Sequence, residues 1–135
     1  MYGANMAEDV DETCLFCCVQ SQDRIVAELD TVYAMKDGHP VTEGHHLIIP
    51  KRHTIDFFAM TPQERDETSA LLVLLQQKLL TDDSSITGFN IGMNCGESAG
   101  QSIFHAHTHL IPRRDGDTKK PQGGVRGVIP DKMGY

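Results

Sequence analysis

"HAHTHLIP", residues 105–112, sets three histidines on alternate positions and closes with an apolar pair and a proline. On a β-strand, alternate residues point to one face, about 6.5–7 Å apart. His105, His107 and His109 would then share a face, with Ala106, Thr108 and Leu110 turned the other way. A face carrying three imidazoles is not an ordinary core face. Two chemistries explain it: a metal held by a histidine comb, or an imidazole that itself attacks a substrate.

The rest of the fold builds outward from this stretch. "SIFHAHTHLI" (102–111) reads as one strand and "GFNIGMN" (88–94) as another, joined by the small-residue loop "CGESAGQ" (95–101). "DRIVAEL" (23–29) and "TVYAMKD" (31–37) read as a hairpin turning around Leu29–Asp30, followed by the loop "GHPVTEG" (38–44). "HHLIIP" (45–50) is a strand ended by proline, and its consecutive apolar residues predict burial on both faces. One long helix is predicted over 62–80, with Thr61 as N-cap, Pro62 at the first helical position and Glu64 completing a capping box. Its "ALLVLLQQKLL" (70–80) is apolar around more of the circumference than one buried face needs. Either a partner subunit covers the surplus, giving a homodimer, or the helix is deeply packed in a monomer. Five strands, mostly hairpin-connected, with one long helix predict an α+β domain with a five-stranded antiparallel sheet.

The chain has 135 residues, enough for one domain with an ordinary core. We divide it into a core over 1–112 and an extended basic tail over 113–135, which holds five glycines and two prolines. No apolar run approaches the ~20 residues of a membrane span. The acidic start "MYGANMAEDVDET" has no apolar stretch of a signal peptide, so a cytoplasmic protein is expected. A net charge of −7 argues against a general nucleic-acid binder. The charge is uneven: residues 1–100 hold six Lys/Arg against sixteen Asp/Glu, and residues 101–135 hold six against three. A basic end at the comb suits an anionic substrate, although a solvated tail reads the same way.

The other four histidines, His39, His45, His46 and His53, fall in one 15-residue stretch, so neighbouring strands would gather all seven into one site. The loop "GESAGQS" offers small residues, backbone N–H groups, an amide and a hydroxyl, donors that suit a transferring phosphoryl group. That pairing favours phosphate chemistry over a bare metal comb. "CLFC" (14–17) is half of a zinc site or a pair of buried thiols; His53 and His105, the end histidines of their clusters, are candidates to complete a Cys₂His₂ set. Cys18 has no assigned role.

H-x-H-x-H before two apolar residues and after "N-x-G-x-x-A-G-Q-S" resembles the histidine-triad (HIT) superfamily of nucleotide hydrolases and transferases. "PVTEGHHLIIPKRH" is similar to the family's second signature, and "CLFC" to its zinc-bearing N-terminus. The resemblance runs from about Cys14 to Pro112. It implies a HIT-like fold with a short N-terminal helix, and a covalent nucleotidyl-histidine formed when His107 attacks the α-phosphorus of a purine nucleotide conjugate. By the same resemblance the His105 carbonyl orients that ring, and His109, Gln101 and Ser102 contact phosphate or leaving-group oxygens. Asn94 and Gly100 line the phosphate pocket, Asp37 meets the ribose, and Leu15 and Phe16 touch the base. Cys14, Cys17, His53 and His105 are the implied ligands of a structural zinc. "GQS" leans toward hydrolases of adenosine monophosphate amides, and "HLIPRRDGD" toward dinucleoside polyphosphate hydrolases. Two other readings stand beside it: a zinc-dependent hydrolase using the comb as ligands, and a non-catalytic nucleotide-binding protein.

Overall fold

The computed structural model describes residues 10–19 and 23–134; most of the acidic N-terminal stretch, residues 1–9, lies outside them. A short helix α1 (Leu15–Val19) precedes strands β1 (Ile25–Glu28), β2 (Val32–Lys36) and β3 (His46–Pro50). The long helix α2 (Pro62–Asp82) follows, and then β4 (Gly88–Gly92) and β5 (Thr108–Arg113). The strands form one antiparallel sheet in the order β1-β2-β3-β5-β4. The fold is therefore α+β, with five antiparallel strands, one long helix and a short N-terminal one.

The two faces of the sheet have different cover. Val32, Ala34, Ile48 and Leu110 pack against Leu71 and Leu75 of α2. Tyr33, Met35, Leu47 and Ile49 pack on the opposite face against Phe16 and Val19 of α1. All five residues of β3 are consequently buried, as its unbroken apolar run predicts. The α1 face also carries the site: His109 pairs with Leu47, and so points to the side that holds Phe16.

The capping of α2 follows the sequence. The Thr61 hydroxyl accepts from the Glu64 amide at 3.0 Å, and the Glu64 carboxylate accepts from the Thr61 amide at 2.8 Å. Caps of this kind contribute about 1 kcal/mol. Glu64 also accepts two bonds from Arg52, at 3.0 and 2.9 Å, so its buried carboxylate is fully engaged.

Two expectations change. The strand carrying the histidines begins only at Thr108, because the chain bends through 103–105, so His105 and His107 precede it. The alternation rule that put all three imidazoles on one face applies only within a strand. The tail is not simply extended. Short 3₁₀ turns occur at Pro121–Gly123, Val125–Val128 and Pro130–Lys132, and Gly124 lies against Asn90 of β4. Its first two arginines are ion-paired: Arg113 holds Asp117 through two bonds of 2.8 and 2.7 Å, and Arg114 reaches Asp83 at 2.8 Å.

Candidate active site

The bend at 103–105 divides the comb between two sites. His105 is fully buried and turned toward α1, where its Nδ1 lies 3.4 Å from Cys14 Sγ and 3.5 Å from Cys17 Sγ. His53 Nδ1 lies 3.4 Å from Cys17 Sγ. The four ligand atoms of Cys14, Cys17, His53 and His105 all fall within 4.8 Å of one another. A tetrahedral zinc with Zn–S near 2.3 Å and Zn–N near 2.05 Å requires S···N edges of about 3.5 Å. The set fits that ion. The protonation pattern fits too, because His105 Nε2 donates to the Pro50 carbonyl at 2.7 Å and leaves Nδ1 with its lone pair toward the sulfurs. Burial, foremost, lowers the His105 pKa to about 4 and keeps the ring neutral. Burial likewise pushes the Cys17 thiol up to about 11, so a thiolate there calls for a cation beside it.

The second site is a cavity of about 370 Å³ on the α1 face of the sheet. Leu15, Phe16, Met35, Leu47 and Ile103 supply its apolar lining, and Asn94, Gly100 and Ser102 add polar groups. His107 and His109 line it together, with ring centroids 5.3 Å apart, and the Phe16 ring lies 5.0 Å from that of His107. His107 Nδ1 donates to the His105 carbonyl at 2.8 Å. Its Nε2 therefore carries a lone pair.

The tautomer of His109 is set by a relay. The Val41 amide donates to His45 Nδ1 at 3.0 Å, so the His45 proton sits on Nε2. That nitrogen lies 2.9 Å from His109 Nδ1 and 3.3 Å from Asp37 Oδ2. His109 Nδ1 must then accept, which leaves its own proton on Nε2. Burial, with repulsion from His107 and His45, lowers the His109 pKa to about 4, so the ring is a neutral donor near pH 7. Asp37, His45 and His109 also gather three ligand atoms within 4.8 Å. The Val41 amide opposes a metal there, because it occupies the nitrogen that would have to carry the His45 proton.

The structure thus brings His107, His109, Ser102, Asn94, Gly100, Asp37, Leu15 and Phe16 to one cavity, and Cys14, Cys17, His53 and His105 to the neighbouring cluster. Gln101 is not among the residues that line this cavity. Its amide is buried, with Nε2 donating to the Ile55 and Ile103 carbonyls at 2.7 and 3.2 Å and Oε1 accepting from Gly96 at 2.8 Å. It shapes the loop instead of facing the cavity. Gly96 and Gly100 in that loop have φ of +99° and +95°, which glycine adopts without strain. Arg24 and Gly38, which also line the cavity, carried no signal in the sequence, whereas His39, another lining residue, and His45 entered only through the histidine clustering, with no individual role.

The HIT domain model matches residues 19–116. The Bacillus subtilis protein hit is 35% identical over 105 residues, covering 76% of this chain and 72% of its own. A HIT family protein from Bacillus anthracis superposes with a TM-score of 0.72 at 31% identity, covering 89% of this chain and 96% of its own. A zinc-bound histidine triad protein from Mycobacterium smegmatis gives 0.71 at 30% identity, covering 88% and 94%. A hypothetical histidine triad nucleotide-binding protein from Sulfolobus tokodaii gives 0.71 at 26%, covering 89% and 91%. This chain belongs to the HIT family, whose proteins are of nucleotide-binding and hydrolase type.

Proposed function

We propose that the chain is a nucleotide hydrolase or nucleotidyl transferase that cleaves purine nucleotide conjugates at the α-phosphorus through His107. The observation that carries this reading is the 2.8 Å bond from His107 Nδ1 to the His105 carbonyl, which leaves Nε2 as the nucleophile beside a donor-lined cavity. In the first step the His107 Nε2–P bond forms as the bond from phosphorus to the leaving group breaks. The His109 Nε2–H donates a hydrogen bond to the departing atom, which leaves as the anion or takes its proton from water. Water then attacks the nucleotidyl-histidine, its proton passing to solvent, and the P–Nε2 bond breaks to release the nucleoside monophosphate with His107 restored. Both substrate branches, adenosine monophosphate amides and dinucleoside polyphosphates such as the diadenosine tri- and tetraphosphates, follow this path. The nucleotide-binding relative from Sulfolobus tokodaii supports a nucleotide ligand.

Cys14, Cys17, His53 and His105 would hold a structural zinc, and the zinc-bound relative supports that assignment. The ion would brace α1 against the catalytic segment and take no part in the chemical step. A reducing, cytoplasmic setting suits these free thiols. No described helix is long and apolar enough to cross a membrane. We read the protein as a homodimer on the apolar surface discussed below. A comb acting as a catalytic metal site is disfavoured, because His105 belongs to the cysteine cluster and His109 Nδ1 already accepts from His45.

The test is replacement of His107 by alanine, with assays of AMP release from an AMP amide and from a diadenosine polyphosphate. Loss of turnover with retained AMP binding is expected, at least about 10³-fold in kcat. Near-native turnover would sink the mechanism. Native protein that binds AMP but turns over no conjugate would favour the non-catalytic reading.

A further inference from the structure

The cavity holds one permanent cation that the reaction leaves without a task. Arg24 lines it together with Phe16, Asp37 and Gly38, and no other arginine or lysine does. It comes from the acidic part of the chain, whereas Arg113 and Arg114 of the basic end are tied to carboxylates elsewhere. Arg24 is exposed and makes no side-chain hydrogen bond or ion pair among the described residues.

One contact locates its guanidinium. An Arg24 Nη lies 3.7 Å from the point that a Cβ on Gly38 would occupy, so the guanidinium covers the bare backbone there. That contact puts the guanidinium on the Asp37–Gly38 side of the cavity, which Phe16 also lines.

The geometry points to Arg24 as the residue that reads the base, and to guanine as the base it favours. A guanidinium presents parallel N–H donors. Guanine offers two adjacent acceptors, O6 and N7, whereas adenine sets N7 beside an amino donor. The inference rests on the proposed nucleotide chemistry and gives it a substrate class: guanosine 5′-phosphate conjugates ahead of adenosine ones.

The experiment is calorimetric titration of the full chain with GMP and with AMP, for the native protein, Arg24→Met and Arg24→Lys. The native protein is expected to bind GMP tighter than AMP by about tenfold or more. Arg24→Met keeps the apolar stem and should remove the preference by weakening GMP while leaving AMP nearly unchanged. Arg24→Lys keeps the charge without the fork and should lose most of the preference. Equal native affinities, or a GMP preference that survives Arg24→Met, would overturn the assignment of Arg24 while leaving the nucleotide reading in place. If the native protein binds neither nucleotide, both readings fall.

Discussion

His45 stands one residue before β3 and touches no part of the proposed substrate, yet it holds His109 as a donor. Replacing His45 with alanine frees His109 to take either tautomer. We expect kcat to fall about 10²-fold with KM little changed, because the contact it supports is made to the leaving group. The pH profile should sharpen the point. In the native protein His109 is protonated only as the pH falls toward about 4, so its contribution to the acid limb lies well below neutrality. In the variant the buried environment is opened, and that limb should move up toward the ordinary histidine value. An unchanged profile with an unchanged kcat would remove His45 from the mechanism. The alternating histidines were legible as chemistry, but their division was not. Nothing local in "SIFHAHTHLI" signals the bend at 103–105. That bend depends on tertiary partners, including the Pro50 carbonyl for the His105 ring and the Thr54 carbonyl for the Ala106 amide.

Helix α1 has five residues, too few to be stable by itself. It is held by Phe16 and Val19 in the core, by the Tyr33 hydroxyl on the Phe16 carbonyl, and by the two cysteines of the proposed zinc set. Phe16 lies between those cysteines and lines the cavity, so a bound zinc would couple metal content to nucleotide binding through one turn of chain. Removal of zinc by a strong chelator should weaken AMP binding and lower kcat by up to about 10²-fold, because the carbonyl that aims His107 belongs to a released ligand. Zinc added back should restore both. Protein that keeps native binding and turnover after complete metal removal would separate α1 from the ion. The longer elements were easier to read from sequence than this one. α2 announced its start through Thr61, Pro62 and Glu64, whereas α1 gave only a C-x-x-C spacing that says nothing of helix.

At the scale of the molecule, the surplus apolar surface of α2 is real. Val73, Leu74 and Leu80 are exposed, as is Ile91 on β4, an edge strand bonded only to β5. Leu72, Val73, Phe89 and Ile91 line one apolar groove, so helix and sheet edge present a continuous surface. A second copy meeting this edge would cover the apolar patch and satisfy the free backbone groups of β4 together. Ile91→Glu should therefore convert a sedimenting dimer to monomer without unfolding it, and a native protein that sediments as a monomer would refute the dimer. The apolar surplus was legible in the sequence because it depends on periodicity alone. Which residues of the basic end stay free was not, because Asp83 and Asp117, the partners of Arg114 and Arg113, are chosen by the fold.

The donor that fixes His45 is the main-chain amide of Val41, whose side chain is largely exposed. Position 41 can drift through nineteen of the twenty amino acids without losing that N–H, since proline alone lacks it. The direction of the proton relay is thus written in a part of the chain that ordinary mutation does not erase.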